Sequence, residues 1–474
     1  MKQISLGRVT TQLLTGRAFT YVLALANSVI IARTLGVELL GAYAYAMGIA
    51  ALFGLLPNMG ISTVVTRNIS QDAGAGKSLI RAAVRAQALV SATLMILIPV
   101  FAWLLPAQPV RLTYVILAAA QLLVGTLSWP YLAVLGGHAR YDRVALAELA
   151  TATAGTTSLL VVAAMRGGVA SFLTAHLLAT VFAVGISRWI CAPFLPPEEG
   201  KSVPLASLLR QSAPFGVTAA LQSAYTRVDI VLLGQIATPV AVGLYNIAYK
   251  PTTMAVYFGA TVAGALLPVM TRPPQVGTPD AFRKAMRGLG AMAPALALTL
   301  SGLAALLVII LYGPEYAPAA PVLAILAWSA AINWLYAPVS IALQARGKER
   351  MWLLAVLTGL LINLAGNLWA IPRWGARGAA GATLASELIL LLIGVTLMAR
   401  SLAIVPSLRP VLVGVSATVA GGGVLFVLRG NSAVLATLAS LLVYTAILAV
   451  FRSVTLSDAT TVVHWLRPSG LKNA

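Results

Sequence analysis

Charge is scarce in this chain. Only 9% of its 474 residues are Asp, Glu, Lys or Arg, against about 25% in a soluble domain. Cysteine is scarcer still. Cys191 stands alone, which excludes an internal disulfide and any cysteine-cluster metal site. The three histidines, His138, His176 and His464, lie far apart and follow no ligand spacing. No metal and no cofactor is expected. Long polar segments are missing as well, so no folded domain is expected outside the apolar regions.

Apolar sequence fills the space. Hydrophobic residues make up 59% of the chain and the mean hydropathy is +0.91. Runs of roughly 20 apolar residues recur from end to end, the length of one bilayer crossing. The expected fold class is all-α and polytopic, with about 14 transmembrane helices between residues 12 and 451. Forty glycines and 25 prolines suit this class, since neighbouring helices can re-satisfy a broken backbone. The N-terminal stretch KQISLGRVTTQLLTGR is polar and basic and offers no cleavage site, so the first span is expected to stay as a helix.

A net charge of +20 raises the possibility of nucleic acid. Its distribution argues against that. Counted on alternate sides of the spans, 24 Lys and Arg fall with the two termini and 6 fall on the opposite side. That asymmetry is the positive-inside pattern. It places both termini in the cytoplasm and makes the basic charge topogenic, with anionic membrane lipids as its partners.

The first six spans resemble the next six. GAYAYA (41–46) and GLYNIA (243–248) both read G-x-Y-x-x-A. Pro130 precedes Leu135 as Pro338 precedes Leu343, and Arg166-Gly167 matches Arg377-Gly378. The expected organisation is an N-terminal lobe at 1–191, an inter-lobe linker at 192–211, a C-terminal lobe at 212–400, and two extra helices with a tail at 401–474. Parallel repeats with a site at their interface are a known transporter plan.

Two charges sit inside the oily run YTRVDIVLLG (225–234). A charge at the bilayer centre costs about 2.5–3.5 kcal/mol on insertion scales, so such residues tend to face a bundle interior or a wet cavity. Arg227 and Asp229 stand about 200° apart around a helix and cannot pair along it. Asp229 shares a stripe with Tyr225, and Lys250 in span 8 shares one with Asn246. Counted from the outer break, Asp229, Arg227 and Lys250 all lie roughly 10–14 Å inward, so an Asp229–Lys250 pair is geometrically open. Pro251 removes a backbone hydrogen bond beside Lys250 and predicts a local break. Arg17, a turn or more into span 1, faces either a cytoplasmic vestibule or, by snorkelling, the headgroups. The candidate substrate-binding set is Arg227, Lys250, Asp229, Tyr225, Asn246 and Arg17, where the cations would attract an anion. Glu387 in span 12 and His176 in span 6 are candidates for ion coupling. The bland alternative for each is a helix clamp or a satisfied interhelical hydrogen bond, the role expected of Asn363 and Asn367.

RTLGVELLGAYAYA (33–46), NMGISTVVTRNIS (58–70), RVDIVLLGQIATPVAVGLYNIAYK (227–250) and NLAGNLWAIPRWGARGAAGATLASE (363–387) resemble bacterial polysaccharide-export proteins. These are the Wzx-type lipid-linked oligosaccharide flippases of the multidrug/oligosaccharidyl-lipid/polysaccharide (MOP) superfamily. The resemblance implies two six-helix bundles plus two helices, and alternating access. It also implies a polyprenyl-pyrophosphate-linked oligosaccharide as substrate and a polysaccharide polymerase as a protein partner. The positions it matches are Arg33, Gly36, Arg67, Asp229, Lys250 and Arg377-Gly378, with Arg33 and Arg67 at the rims.

Three rivals stand beside this reading. A multidrug extruder of the same superfamily usually has twelve spans and coupling carboxylates, whereas spans 1–4 here hold no Asp or Glu. A peptidoglycan-precursor flippase is another relative. A membrane glycosyltransferase or ligase needs catalytic acids on a large outer loop, and the outer breaks here carry only Glu38 and Glu315.

Overall fold

The computed structural model describes residues 6–71, 76–106, 110–195, 204–264, 278–402 and 408–451. Every regular element among them is helical. The chain forms two compact units, Met1–Gly243 and Leu244–Ala474.

The first unit holds α1 (Leu6–Phe53), α2 (Ile61–Gln71), α3 (Gly76–Leu104), α4 (Leu112–Thr126), α5 (Trp129–Gly137), α6 (Tyr141–Ala164), α7 (Val169–Cys191) and α8 (Leu205–Ile236). The next helix, α9 (Pro239–Gly264), begins in this unit. Two spans of the sequence reading share α1, which bends at Gly36 with φ 74°. A Cβ on Gly36 would meet nothing within 4 Å. The glycine is therefore required by the left-handed backbone and not by space.

Span 4 is two helices. The chain turns at Leu127–Ser128, and Pro130 sits in the first turn of α5, where a missing N–H costs nothing. The Ser128 hydroxyl donates to the Gly125 carbonyl at 2.7 Å and helps close α4. Helix α2 is short and two-faced. Ile61, Val64, Val65 and Ile69 are buried and pack with Leu79, Ala83, Val134, Leu135 and Cys191 into one apolar cluster. Their spacing of three and four is that of one helix face.

The second unit holds the rest of α9, then α10 (Thr278–Gly302), α11 (Ala304–Tyr312), α12 (Ala320–Ala345), α13 (Glu349–Leu402), α14 (Leu408–Val427) and α15 (Ala433–Val450). Helices α10 and α11 are bent by 59° across Leu303, where one continuous span was expected. Half of the residues of α12 are buried. Helix α13 is bent at Gly375, φ 52°, so two expected spans share it. The last two helices dock through hydroxyls: Ser440 donates to the Gly421 carbonyl and Tyr444 to the Ala291 carbonyl, each at 2.8 Å.

Nine of the described helical segments are long and apolar enough to cross a membrane, or ten if the bent α10–α11 pair is one span. The protein is a multi-pass membrane protein. Helices α8 and α9, read from the sequence as spans 7 and 8, are not among the nine. Gln222, Ser223, Thr226, Arg227 and Asp229 on one, and Asn246, Lys250 and three threonines on the other, dilute their apolar character. Residues 196–203 of the expected linker (192–211) and the tail beyond residue 451 lie outside the described residues.

Candidate functional site

Three of the sequence-read candidates share α8. Asp229 is 4% exposed, among Ser223, Ile230, Val231 and Leu233, which are equally buried. Tyr225, one turn earlier, is half-buried and shares its face, while half-buried Arg227 points elsewhere on the helix. An ionised carboxylate this deep is costly unless its surroundings compensate. Helix α8 is also tied to the second arm of α1. The Gln235 amide donates to the Tyr45 hydroxyl, and a Cβ on Gly48 would come within 2.7 Å of Ile230.

Lys250 and Asn246 lie on α9, one turn apart and both half-buried. The break expected at Pro251 does not occur, and α9 runs through it. The hydroxyls of Thr252 and Thr253 donate to the Tyr249 carbonyl at 2.8 and 2.7 Å. On the neighbouring face Tyr245 and Tyr249 stack with ring centroids 5.9 Å apart. The Tyr245 hydroxyl lies 3.3 Å from that of Thr383.

Glu387 is 8% exposed on the second arm of α13. Because α13 bends at Gly375, its two arms face each other. Asn363 of the first arm donates to Ser386 of the second at 3.3 Å, and Asn367 donates to Asn363 at 2.9 Å. Ser386 in turn donates to the Thr383 carbonyl at 2.8 Å. Asn363 thus joins the two arms, the role expected of it, while Asn367 braces Asn363 from its own arm. Ser386 and Thr383 were missed, although Ser386 stands beside Glu387 in the sequence.

His176 lies on α7, with its Nε2 3.9 Å from the position of a Cβ on Gly155 of α6. Arg17 lies on α1, and its side chain is outside the described residues. Among the described residues no group of three or more His, Cys, Asp or Glu side chains could hold a metal ion.

A sequence profile of a family described as "Polysaccharide biosynthesis protein" matches residues 6–273. No curated protein matches. Among solved structures, the fold is similar to lipid II flippase MurJ in an inward closed conformation. There the TM-score is 0.72 at 14% identity, covering 94% of this chain and 99% of that one. It is similar also to a mutant of the Vibrio cholerae MATE transporter VcmN, with a TM-score of 0.57 at 16% identity, covering 85% and 98% of the two chains. A MOP superfamily transporter from Pyrococcus furiosus, noted for the reverse polarity of its binding pocket, gives 0.58 at 15% identity, covering 83% and 93%. These likenesses concern the fold, and the proteins that share it are flippases and transporters.

Proposed function

Because the chain belongs to the polysaccharide biosynthesis protein family, we propose that it flips a polyprenyl-pyrophosphate-linked oligosaccharide from the cytoplasmic to the outer leaflet. The family match over residues 6–273 carries this reading, and the flippase-like fold over 94% of the chain supports it. The protein would work in the bacterial inner membrane with both termini in the cytoplasm, as its basic residues are distributed.

The charge pattern favours an anionic cargo. Within α8 and α9 the half-buried cations Arg227 and Lys250 accompany a single buried acid, Asp229. In this reading the cations meet the pyrophosphate while Asp229 holds them in place, and Tyr225 and Asn246 contact the sugars. The lipid tail stays in the bilayer. Glu387, and less directly His176, would link the cycle to a proton. An organic-cation exporter is the second reading, favoured only by the shared fold.

The test is reconstitution in liposomes with a fluorescent polyprenyl-pyrophosphate oligosaccharide and an external quencher. Protein-dependent exposure of the label supports the flippase. Absence of exposure, with efflux of organic cations from the same vesicles, would replace it with the exporter.

A further inference from the structure

The first unit contains a cavity of ≈ 720 Å³ where the end of α1, the polar face of α2 and the start of α5 come together. Its polar groups are sorted by hydrogen bonding. Asn58 Oδ1 accepts from three donors: the Ser62 N–H at 3.0 Å, the Ser62 hydroxyl at 2.8 Å and Gln87 Nε2 at 3.3 Å. A backbone N–H among the three fixes which amide atom is the oxygen. Asn58 Nδ2 is therefore turned away from these donors and has no partner among the described residues.

The other lining groups follow the same rule. Trp129 Nε1 and the Thr63 hydroxyl have no partner among the described residues. Arg67 gives one N–H, from Nη2, to Gln211 at 3.3 Å. Gln211 is itself held by Ser207 at 3.2 Å, which orients the guanidinium and leaves its remaining donors open. Ser62 and Thr66 have committed their protons, to Asn58 and to the Ala133 carbonyl, and retain only lone pairs. Leu55 and Leu132 complete the wall with apolar surface.

An array of open donors with one full positive charge matches an oxyanion, and a guanidinium in particular matches a phosphate. The apolar wall adds room for a chain, and the two lone-pair hydroxyls suit a hydroxyl next to the phosphate. We propose that this cavity, lined by Asn58, Thr63, Arg67 and Trp129, binds the phosphate of an anionic lipid headgroup. The two sources of that chemistry are a bilayer glycerophospholipid and a polyprenyl phosphate. The inference stands apart from the transport reading, because it concerns equilibrium binding within one unit.

The test uses the full chain in detergent and native mass spectrometry. Phosphatidylglycerol, a polyprenyl monophosphate, inorganic phosphate and phosphatidylcholine are titrated separately. Arg67→Gln removes the charge. Asn58→Asp keeps the oxygen that caps α2 and turns the open donor into a negative acceptor, so its loss of binding is separable from unfolding. Both variants are expected to weaken anionic-lipid binding about tenfold or more, the scale of a charge-assisted hydrogen bond. Arg111→Gln, at the start of α4, should bind as the parent does. Tighter binding of the polyprenyl phosphate assigns the carried lipid, and tighter binding of phosphatidylglycerol assigns the bilayer. Displacement of either by inorganic phosphate confirms that the phosphate is what is read. Unchanged affinity in both variants, or phosphatidylcholine binding as tightly as phosphatidylglycerol, overturns the proposal.

Discussion

Gly41 and Gly243, the first residues of the two G-x-Y-x-x-A segments, meet backbone to backbone. A Cβ on Gly243 would overlap the Val37 carbonyl and lie 3.2 Å from the Gly41 nitrogen, and one on Gly41 would overlap the Pro239 carbonyl. The second arm of α1 and the start of α9 therefore touch with no side chain between them. Within the first unit, the opening glycines of the two segments thus lie against each other.

Gly243→Ala should lower stability by about 1–3 kcal/mol, the usual cost of forcing atoms into a packed site. Thermal unfolding of the purified protein in detergent measures it. Gly36→Ala should also destabilise, by about 1–2 kcal/mol, but for its backbone angle alone. An unchanged melting temperature for Gly243→Ala would mean that the two segments part easily.

Arg227→Ala and Lys250→Ala are each expected to reduce lipid-linked oligosaccharide translocation while the protein still inserts in the membrane. Translocation assayed in proteoliposomes, beside a quantified membrane fraction, separates the two effects. Full activity in both single variants and in the double variant would remove this cluster from the substrate path.

The proposed Asp229–Lys250 pair is checked by a double-mutant cycle. Asp229→Asn alone should harm stability more than Asp229→Asn combined with Lys250→Gln, because a lone buried charge is worse than none. Coupled neighbours show interaction energies of about 0.5–3 kcal/mol. A coupling of zero rejects the pair.

Glu387→Gln keeps the shape of a buried side chain (8% exposed in the parent) and removes its proton. If Glu387 couples transport to protons, translocation by this variant should stop responding to an imposed pH gradient that accelerates the parent. The readout is initial rate against gradient, and an equal response in both proteins would leave Glu387 a structural acid.

The membrane class and the helical fold were legible because so few charged residues leave only one possible solvent. The shape of individual spans was less so. Nothing local distinguishes Pro130, which starts a new helix, from Pro251, which α9 passes through. Each has a hydroxyl two residues away that is bonded to a carbonyl three or four residues back, Ser128 to Gly125 and Thr253 to Tyr249, so local donors do not separate the two cases. Glu387 was found as a lone acid in an apolar run, but its neighbour Ser386 was not, since a buried serine looks like any other small residue. The donor array around Asn58 was hidden for a related reason. Which of its two amide atoms is left open depends on Ser62 and Gln87, and Gln87 comes 29 residues later.

Tyr444 reaches the Ala291 carbonyl across 153 residues of chain. During synthesis α10 therefore leaves the ribosome long before its partner exists. Until α15 follows, no tyrosine hydroxyl can fill that position, and α15 itself enters lipid carrying a buried-type Tyr and Ser that need acceptors. Docking of the final helix pair thus completes the packing around α10 last. A chain cut short before residue 433 would lack the tyrosine hydroxyl that α10 meets at the Ala291 carbonyl.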